Sequence, residues 1–519
     1  MPASIVTTNN VNERETLHKR SNVVLQNISV LFVALLFFGI AVWMRLRDLG
    51  LPFDRDGYDE GVYWQSLRAM GNGYHLYQNI FYSQPPFFLL SIFPTYMLFG
   101  QTLWSARLGI ALVSLLGFVG AFLLGTALSG RIGGLAALLL LTIDPLYLQQ
   151  SQTLQAEAPF VAFALLAVGA AYLWWKHPDG IPGMCYAALA GTALSLSIFC
   201  KLFGLATLVP VGLLFLAHIW RIVQQEPKLR LLASRSLLLG VACFLLVSTV
   251  LILPFVSSLQ QMIQGIITFH TAAGNAYQDT KAGNFSQLEH ALTSLLALAA
   301  LYGTIVAMLR RDWRVLPLLA WFGATALLLW LQVPLFPHHF VALTPPLIAL
   351  TVMGISPLTF AKRTPFSMIA MSITVIALLL LVLLSFVQGT TLQHYYRSEL
   401  QKSQDISVTK WDVNVERDLQ SVTQTDQLVV TDAQFLTGLA NRSTDPQLVD
   451  TSNVRVNTGY LTPQQLITEA SQPNVHAVLF YTGRLLRMPH VGLFYAWLMK
   501  HYHRVQNYYP GKELWIKVE

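Results

Sequence analysis

The sequence predicts an α-helical polytopic membrane protein that ends in a small α/β domain. Of its 519 residues, 54% are hydrophobic and only 11% are charged, and long apolar windows recur along the chain. A run of about 20 apolar residues crosses a hydrocarbon core of roughly 30 Å, so we expect about eleven transmembrane helices. The windows lie near 23–44, 106–128, 132–148, 157–175, 183–200, 202–220, 236–256, 291–309, 315–333, 340–356 and 366–387.

The distribution of basic residues predicts the orientation. The first window is followed by Arg45 and Arg47 and not by a small-residue cleavage site, so we expect a retained anchor. With the N-terminus on the cytoplasmic side, the loops richest in Arg and Lys fall on that side, as the positive-inside rule requires. The net charge of +7 therefore indicates topology and gives no reason to expect a nucleic-acid partner.

This orientation requires that the apolar stretch 85–100 does not cross the membrane. The stretch is short and contains three prolines, at positions 85, 86 and 94. An interfacial or re-entrant helix is therefore the better prediction.

Three regions follow from these observations. Residues 1–22 form a polar cytoplasmic N-terminus, and residues 23–388 form the transmembrane domain, whose first external loop spans 45–105. Residues 389–519 have a polar, mixed composition and are predicted to form an external α/β domain. Another external loop, 257–290, is long and carries Gly, Asn and Asp, which is typical of functional or mobile loops.

Within the C-terminal domain, apolar alternation predicts strands, and longer amphipathic segments predict helices. The predicted strands are 426–432, 446–452, 475–481 and 513–518. The predicted helices are 433–441, 461–471 and 490–502, the second behind a Thr462 cap.

The loop after the first window is unusually acidic. Asp54, Asp56, Asp59 and Glu60 fall within seven positions. Carboxylates this close to a bilayer are costly unless they do chemistry, bind an ion or face water. Asp59 and Glu60 also fit the cap and first turn of a helix over VYWQSLRAM, where acids complement the helix dipole. We expect Asp59 to have a functional role. Asp54 and Asp56 are expected to interact with solvent or to support the loop.

Further polar residues fall on the same outer face. Glu157 opens the fourth window, Lys201 lies in the turn after the fifth, and His338 and His339 precede the tenth, whereas Asp144 most simply ends the third. Each residue also has a purely structural explanation. Glu157 could be a first-turn acid, Lys201 an interfacial lysine that extends its ammonium to water, and the two histidines polar residues at the membrane interface. The inner face carries mostly Arg and Lys, so this grouping predicts an external active site.

Six segments follow one another in a characteristic order: DE (59–60), QPPFFLL (84–90), WSARLGIALVSLLG (104–117), GRIGGLAALLLLTIDPLYLQQSQTLQAEAP (130–159), GTALSLSIFCKLFGLATLVP (191–210) and FPHHFVALTPPLIAL (336–350). Over roughly residues 25 to 390, this order resembles the GT-C superfamily of membrane glycosyltransferases. More narrowly, the chain resembles family 39, which contains protein O-mannosyltransferases and aminoarabinose transferases of lipid A. It implies transfer of a sugar from a polyprenyl-phosphate carrier at the outer face, with inversion at the anomeric carbon.

The resemblance also implies residue roles. Asp59 matches the first-loop acid, a general base or acceptor-positioning group, with Glu60 as its neighbour, and Glu157 matches a second acidic site. Lys201 matches the residue that contacts the carrier phosphate, and His339 lies where relatives carry His or Tyr. A divalent cation, Mg²⁺ or Mn²⁺, could bind between Asp59 or Glu60 and Glu157, because hard carboxylates suit these ions.

Three further points concern the substrate. Tyr63 and Trp64 suit packing against a sugar face, although core packing explains them equally well. The family's Ser-Arg pair is replaced here by Ser151-Gln152, which removes a cationic contact. The WWDYG signature of oligosaccharyltransferases is absent, which argues against en bloc transfer to asparagine.

We therefore expect an inverting glycosyltransferase of the cell membrane that uses a polyprenyl-phosphate-linked monosaccharide. Its acceptor would be an exported protein hydroxyl, a lipid or a cell-wall glycan. The alternatives are a multi-span transporter or flippase of a lipid-linked or amphipathic substrate, and a degenerate family member that serves in binding or assembly. Transporters carry ionisable residues at the midplane of paired repeats, whereas the acids here lie in an external loop and no repeat is visible.

Overall fold

The structure, a computed structural model, describes residues 27–51, 58–224, 227–355, 365–404 and 406–518. The predicted N-terminal region 1–22 and the acids Asp54 and Asp56 lie outside the described residues. The described part is mostly helical, and its named strands are confined to the C-terminal region.

The first half of the chain contains both long apolar helices and short ones. The helices are α1 (Asn27–Leu46), α2 (Asp59–Gly71), α3 (Phe87–Leu98), α4 (Leu103–Thr142), α5 (Pro145–Gln152), α6 (Glu157–Lys176), α7 (Gly180–Cys200), α8 (Leu208–Gln224) and α9 (Pro227–Ile252). The next are α10 (Leu259–Ile263), α11 (Phe269–Ala276), α12 (Lys281–Leu292), α13 (Leu295–Leu309), α14 (Val315–Leu331), α15 (Thr344–Met353), α16 (Pro365–Gln404) and α17 (Ile406–Val422).

The prediction of an integral membrane protein is confirmed. Among the described residues, six helices are long and apolar enough to cross a membrane, or seven if the bent pair formed by α12 and α13 is one span. Helices α3 and α14 are apolar but shorter. The expected total of about eleven spans, the orientation and the three domain boundaries stay predictions; α16 runs across the boundary expected at residue 388.

Helix α4 contains a chain reversal. A straight helix of its 40 residues would be about 60 Å long, roughly twice the hydrocarbon thickness. The helical geometry breaks at Ser129 and Gly130, and Gly130 has φ +70°, a conformation that favours glycine. Beyond the break, Gly133 packs directly on Gly125, where a side chain would meet the opposite backbone. The small residues thus let two predicted windows pack closely as a hairpin.

Asp144 caps the short helix α5, and the prediction that it ends a membrane span is wrong. Its carboxylate accepts a hydrogen bond of 2.7 Å from the backbone N–H of Tyr147. Pro145 occupies the first helical position, where a missing N–H costs nothing.

The predicted loop 257–290 is helical. It folds into α10, the π-helical turn Gln264–Thr268, α11 and α12. Its Gly, Asn and Asp residues resemble loop signals, but a buried face that includes Ile266, Phe269 and Ala273 packs on neighbouring segments. Tertiary packing outweighs these local preferences.

Both helices predicted near the first external loop are present. Helix α2 begins at Asp59, with Tyr58 as its cap residue and both Asp59 and Glu60 in the first turn. Helix α3 covers most of the proline-containing stretch 85–100, with Pro94 inside it. Its depth in the membrane stays a prediction.

The C-terminal region forms the expected small α/β domain. Its elements after α17 are β1 (Leu428–Thr431), α18 (Gln434–Leu439), β2 (Ser443–Thr444), α19 (Asn453–Asn457), α20 (Pro463–Ala470), β3 (Val475–Phe480), α21 (Gly492–His501), β4 (Tyr502–Tyr509) and β5 (Lys512–Lys517). The sheet has the order β2-β1-β3-β5-β4, parallel over the first three strands and antiparallel over the last three. Thr462 caps α20, as predicted.

Two details of this domain were predicted wrongly. Residues 446–452 do not form a strand; they contain a 3₁₀ turn at Pro446–Leu448, after the short strand β2. Strand β4 was missed because it lies at the sheet edge and its side chains are largely exposed, so its sequence lacks apolar alternation.

The domain is fastened to α2. The Gln65 amide donates to the carbonyls of Gln434 and Arg442 at 3.1 and 3.2 Å, and its oxygen accepts from the Thr444 N–H at 3.1 Å. Gly61 lies so close to the backbone of Phe435 that a β-carbon there would clash. The helix that begins at Asp59 is therefore held directly against the soluble domain.

Candidate active site

A cavity of about 400 Å³ lies between α2, α11, the turn after α7, the segment before α15 and the C-terminal domain. It is lined by Tyr58, Asp59, Val62, Tyr63, Ser83, Gln84, Gln155, Lys201, Phe269, His270, Ala273, Gln332, Val333, Pro334, Phe336, Pro337, His338, His339, Asp450, Ser452, Asn453, Val454 and Arg484. Four residues predicted for the site, Asp59, Tyr63, Lys201 and His339, line this one cavity.

A chain of polar contacts crosses the cavity. His338 Nε2 lies 3.9 Å from Asp59 Oδ2 and 3.5 Å from Glu157 Oε1. The ammonium of Lys201 forms an ion pair with the same Glu157 oxygen, and His339 Nε2 lies 3.9 Å from it. These contacts connect the predicted base Asp59, the second acid Glu157 and the predicted phosphate ligand Lys201 through His338. The sequence singled out His338 only as one of two adjacent histidines.

Helix termini hold two of these groups. Glu157 is in the first turn of α6, where its carboxylate complements the helix dipole. Lys201 follows α7 in extended conformation, and the Gly204 N–H donates to its carbonyl at 2.8 Å. Both residues are buried, with 2% of Glu157 and 8% of Lys201 exposed, so each charge is stabilised chiefly by the other.

Glu60, predicted to be catalytic, does not line the cavity. Its carboxylate is fully buried and accepts from Arg107 Nε at 2.8 Å, from Arg107 Nη2 at 2.6 Å and from the Leu154 N–H at 2.8 Å. Arg107 also donates to the carbonyl of Leu49. The Glu60–Arg107 ion pair links α2 to α4, and the Leu154 contact links Glu60 to the segment before Glu157. Glu60 therefore helps to position the neighbouring Asp59. A direct catalytic role for Glu60 stays a prediction.

The two predicted sugar-packing aromatics separate. Tyr63 lines the cavity and packs edge-on against Phe88, with ring centroids 4.9 Å apart. Trp64 faces the other side of α2 and packs on Phe435 and Gly438 of the C-terminal domain. Of the two, only Tyr63 can reach a ligand in the cavity.

The surroundings shift the pKa values of two side chains that line the cavity, Asp59 and His339. Although 41% of the Asp59 side chain is accessible through the cavity, desolvation raises the pKa of its carboxyl; nearby His338 opposes this rise and Glu157 adds to it. Burial lowers the pKa of His339 well below 6.5, and Lys201 adds to this effect. His339 is therefore neutral near pH 7, and its Nδ1 accepts from the Phe336 N–H at 3.3 Å.

Glu157, His338 and His339 form a group that could hold a metal ion, with one ligand atom from each within 4.8 Å of the others. This differs from the predicted Asp59–Glu157 pair, and its two nitrogens suit zinc better than Mg²⁺ or Mn²⁺. The observed conformation does not fit an ion, because Lys201 occupies the Glu157 oxygen that both histidines approach. In addition, a metal at His339 Nε2 would require the proton on Nδ1, which here accepts a hydrogen bond.

An apolar groove continues from the cavity. It has a volume of about 350 Å³ and shares Ser83, Gln84, Lys201, His270, Gln332, Val333 and His339 with the cavity. Its other walls include Leu202, Phe203, Leu205, Ile266, Ile267, Leu328 and Leu331. A hydrocarbon chain can therefore lie in the groove while its polar end meets Lys201.

The C-terminal domain and α11 contribute residues that the sequence analysis missed. Asp450, Asn453 and Arg484 come from the domain, and His270 comes from α11 in the supposed loop. Isolated polar residues in an α/β sequence carry no local signal of a distant cavity, so only the tertiary structure identifies them.

The Ser151-Gln152 departure does not concern the cavity lining. The Gln152 amide donates to the carbonyls of Met44 and Arg47 at 3.0 and 3.1 Å, and its oxygen accepts from the Tyr396 hydroxyl at 3.2 Å. It therefore joins α1, α5 and α16.

Residues 73–262 match the sequence model of the dolichyl-phosphate-mannose-protein mannosyltransferase family. This region holds Glu157 and Lys201 but not Asp59 or His338, and it is less than half of the chain. No curated protein matches the chain.

Solved structures share the architecture. ArnT from Cupriavidus metallidurans, in complex with undecaprenyl phosphate, has a TM-score of 0.56 at 15% identity, over 95% of this chain and 98% of that chain. The archaeal oligosaccharyltransferase AglB from Archaeoglobus fulgidus, in complex with an inhibitory peptide and a dolichol-phosphate, has a TM-score of 0.54 at 14% identity, over 95% of this chain and 75% of that chain. At these identities the likeness shows the fold, and the GT-C resemblance predicted from the sequence is confirmed.

Proposed function

We propose that this GT-C-fold membrane protein is an inverting glycosyltransferase that moves a monosaccharide from a polyprenyl-phosphate carrier to an acceptor outside the cytoplasm. The observation that carries the proposal is one cavity lined by Asp59, His338 and Lys201. The buried Glu157 contacts His338 and Lys201 and so connects this wall. A greasy groove opens from the same cavity beside Lys201. The match to a family whose donor is a dolichyl phosphate sugar supports the donor class.

Lys201 binds the carrier phosphate. Its ammonium is buried and balanced by Glu157, at the point where the polar cavity meets the apolar groove. A phosphate that arrives there competes with Glu157 for the ammonium, and its charge increases as the sugar departs. Lys201 therefore stabilises the transition state more than the ground state. The neutral His339 can donate from Nε2 to the same phosphate.

Asp59 acts as the general base in a single displacement. The acceptor hydroxyl oxygen forms a bond to the anomeric carbon, and its proton passes to the Asp59 carboxylate. The bond between that carbon and the phosphate oxygen breaks, and its electron pair leaves with the polyprenyl phosphate. Attack and departure occur on opposite faces, so the configuration inverts and no covalent nucleophile is needed.

The elevated pKa of Asp59 suits this role, because a base works best when its pKa approaches the working pH. His338 lies between Asp59 and Glu157 and limits the rise of that pKa. Tyr63 offers a ring to the sugar. The Lys201–Glu157 ion pair and the hydrogen bond to His339 Nδ1 oppose a metal ion at Glu157, His338 and His339, and the proposed steps use none.

The test is mass spectrometry of lipids that copurify with the full-length protein, followed by incubation in proteoliposomes. We expect a polyprenyl-phosphate monosaccharide to copurify and free polyprenyl phosphate to accumulate when membrane extract supplies acceptor. If the lipid-linked sugar binds and changes leaflet but its sugar–phosphate bond stays intact, the protein is a flippase and the proposal is wrong. If no polyprenyl lipid binds, the donor class itself is wrong.

A further inference from the structure

The cavity wall contributed by the C-terminal domain carries a cation that nothing in the proposed chemistry uses. Arg484 is half-buried, and it forms no ion pair or side-chain hydrogen bond within the ranges that the structure describes. Its guanidinium carbon lies 4.1 Å above the ring of Tyr58. The stacking orients the planar group and leaves its five N–H donors available to a ligand.

The loop that carries Arg484 is held rigidly. The buried carboxylate of Asp432 accepts from the backbone N–H groups of Tyr481, Thr482 and Leu485 at 2.8, 3.0 and 3.3 Å. These bonds fix the chain on both sides of Arg484. A side chain on such a loop loses little further freedom when it binds a ligand.

Arg484 is connected to Asp59 through Tyr58. Tyr58 precedes Asp59, and its hydroxyl accepts from the Thr451 N–H and lies 3.1 Å from Thr451 Oγ1. The domain thus fixes the ring on which Arg484 stacks. Arg484 therefore lines the cavity beside the residue that precedes Asp59, whereas Lys201 reaches Asp59 from another element, through Glu157 and His338.

The other charged groups around the cavity have partners. Lys201 is paired with Glu157. Asp450 accepts from the Ser452 N–H at 2.8 Å and lies 3.5 Å from the Tyr58 hydroxyl, and the buried Arg455 donates to its backbone carbonyl at 2.7 Å. Arg484 is thus a cation on the cavity wall that forms no ion pair among the described residues.

We propose that Arg484 forms an anion subsite for the acceptor, so that the acceptor carries a phosphate or carboxylate near the hydroxyl that receives the sugar. The inference rests on the proposed glycosyl transfer. A guanidinium binds both anions through two parallel hydrogen bonds, a geometry that a lysine cannot reproduce. The soluble domain then contributes to acceptor selection and is not merely a cover for the membrane region.

The test uses the full-length protein in detergent, loaded with undecaprenyl phosphate so that the donor site is filled. Phenyl phosphate and phenylacetate are then titrated separately by isothermal calorimetry. We expect Arg484→Gln to weaken binding of the preferred probe by at least about tenfold, because a charge-assisted hydrogen bond is lost. Arg487→Gln is the matched control, since Arg487 is exposed in the same turn and does not line the cavity.

Arg484→Lys keeps the positive charge but loses the planar guanidinium that makes two parallel hydrogen bonds. We expect this variant to bind the probe more tightly than Arg484→Gln does. Preference for phenyl phosphate indicates a phosphate-bearing acceptor, and preference for phenylacetate indicates a carboxylate-bearing one. The proposal is overturned if neither probe binds wild type, or if folded Arg484→Gln binds as tightly as wild type. Undecaprenyl phosphate binding, measured first, is expected to survive Arg484→Gln; its absence from wild type would instead contradict the proposed function.

Discussion

Glu60 and Arg107 form a fully buried, two-point ion pair, with Nε–Oε1 and Nη2–Oε2 distances of 2.8 and 2.6 Å. Its position one residue after Asp59 makes it the anchor of the helix that presents the proposed base. Because both groups are withdrawn from water, each depends on the other to compensate its charge.

Glu60→Ala is expected to destabilise the protein strongly, because it leaves the Arg107 guanidinium buried without its carboxylate. Breaking such a pair costs about 3–5 kcal/mol. The measurement is thermal or denaturant unfolding in detergent. Asp48→Asn is the control: it removes a carboxylate from the half-exposed Arg47–Asp48 pair, which typically contributes less than about 1 kcal/mol. Equal effects of the two substitutions would contradict the anchoring role.

Asp59→Asn is expected to abolish sugar transfer, with a loss of at least about a hundredfold in kcat, because the amide cannot accept the acceptor proton. The helix should remain intact, since Asp59 is partly accessible and its side chain makes no hydrogen bond among the described residues. Transfer is followed as release of polyprenyl phosphate. Glu289→Gln, at an exposed site on α12, should leave the rate unchanged. Wild-type activity of Asp59→Asn would remove Asp59 from the mechanism.

Lys201→Gln is expected to weaken binding of polyprenyl phosphate by about tenfold or more, because the charged hydrogen bond to the phosphate is lost. The single substitution also strands the Glu157 carboxylate, so the double variant Lys201→Gln with Glu157→Gln separates binding from stability. It should fold better than the single variant and still bind the lipid poorly. Lys176→Gln, at the exposed far end of α6, is the control. Normal lipid binding by the double variant would contradict the assignment.

The pH dependence should report on Asp59. Its pKa is raised, so the protonated, inactive form persists above the ordinary value of 3.8, and the acid limb of kcat/KM should lie at higher pH than for a free aspartate. His338→Gln removes a neighbour that lowers this pKa, so the limb should move to still higher pH. The measurement is the pH dependence of kcat/KM for wild type and for His338→Gln. A shift of the acid limb toward lower pH in the variant would contradict the effect of His338 on the Asp59 pKa.

Chelation should leave the initial rate unchanged, because Lys201 holds the Glu157 oxygen that a metal would use and His339 Nδ1 is engaged by the Phe336 N–H. The assay compares transfer before and after dialysis against a strong zinc and magnesium chelator. A loss that zinc restores would instead assign the Glu157, His338 and His339 group as a metal site.

Part of the site could be predicted from sequence because it depends on local signals. An acid such as Asp59 in a loop between apolar runs, or a lone Lys201 in a tight apolar turn, stands out against a chain with few charges. The roles of adjacent residues could not be predicted this way. Successive helical side chains diverge by about 100°, so Asp59 faces the cavity while Glu60 meets Arg107, and Tyr63 and Trp64 separate likewise.

The sequence alone determined the membrane-embedded helical class, the α/β character of the C-terminal region and the candidacy of Asp59, Glu157 and Lys201, because hydrophobic length, periodicity and misplaced charge are local properties. The tertiary structure decided which of these groups meet. It brings His338 between two acids and, from far along the chain, Arg484 to the cavity wall. Such contacts depend on packing between distant segments, which leaves no periodic trace in the sequence.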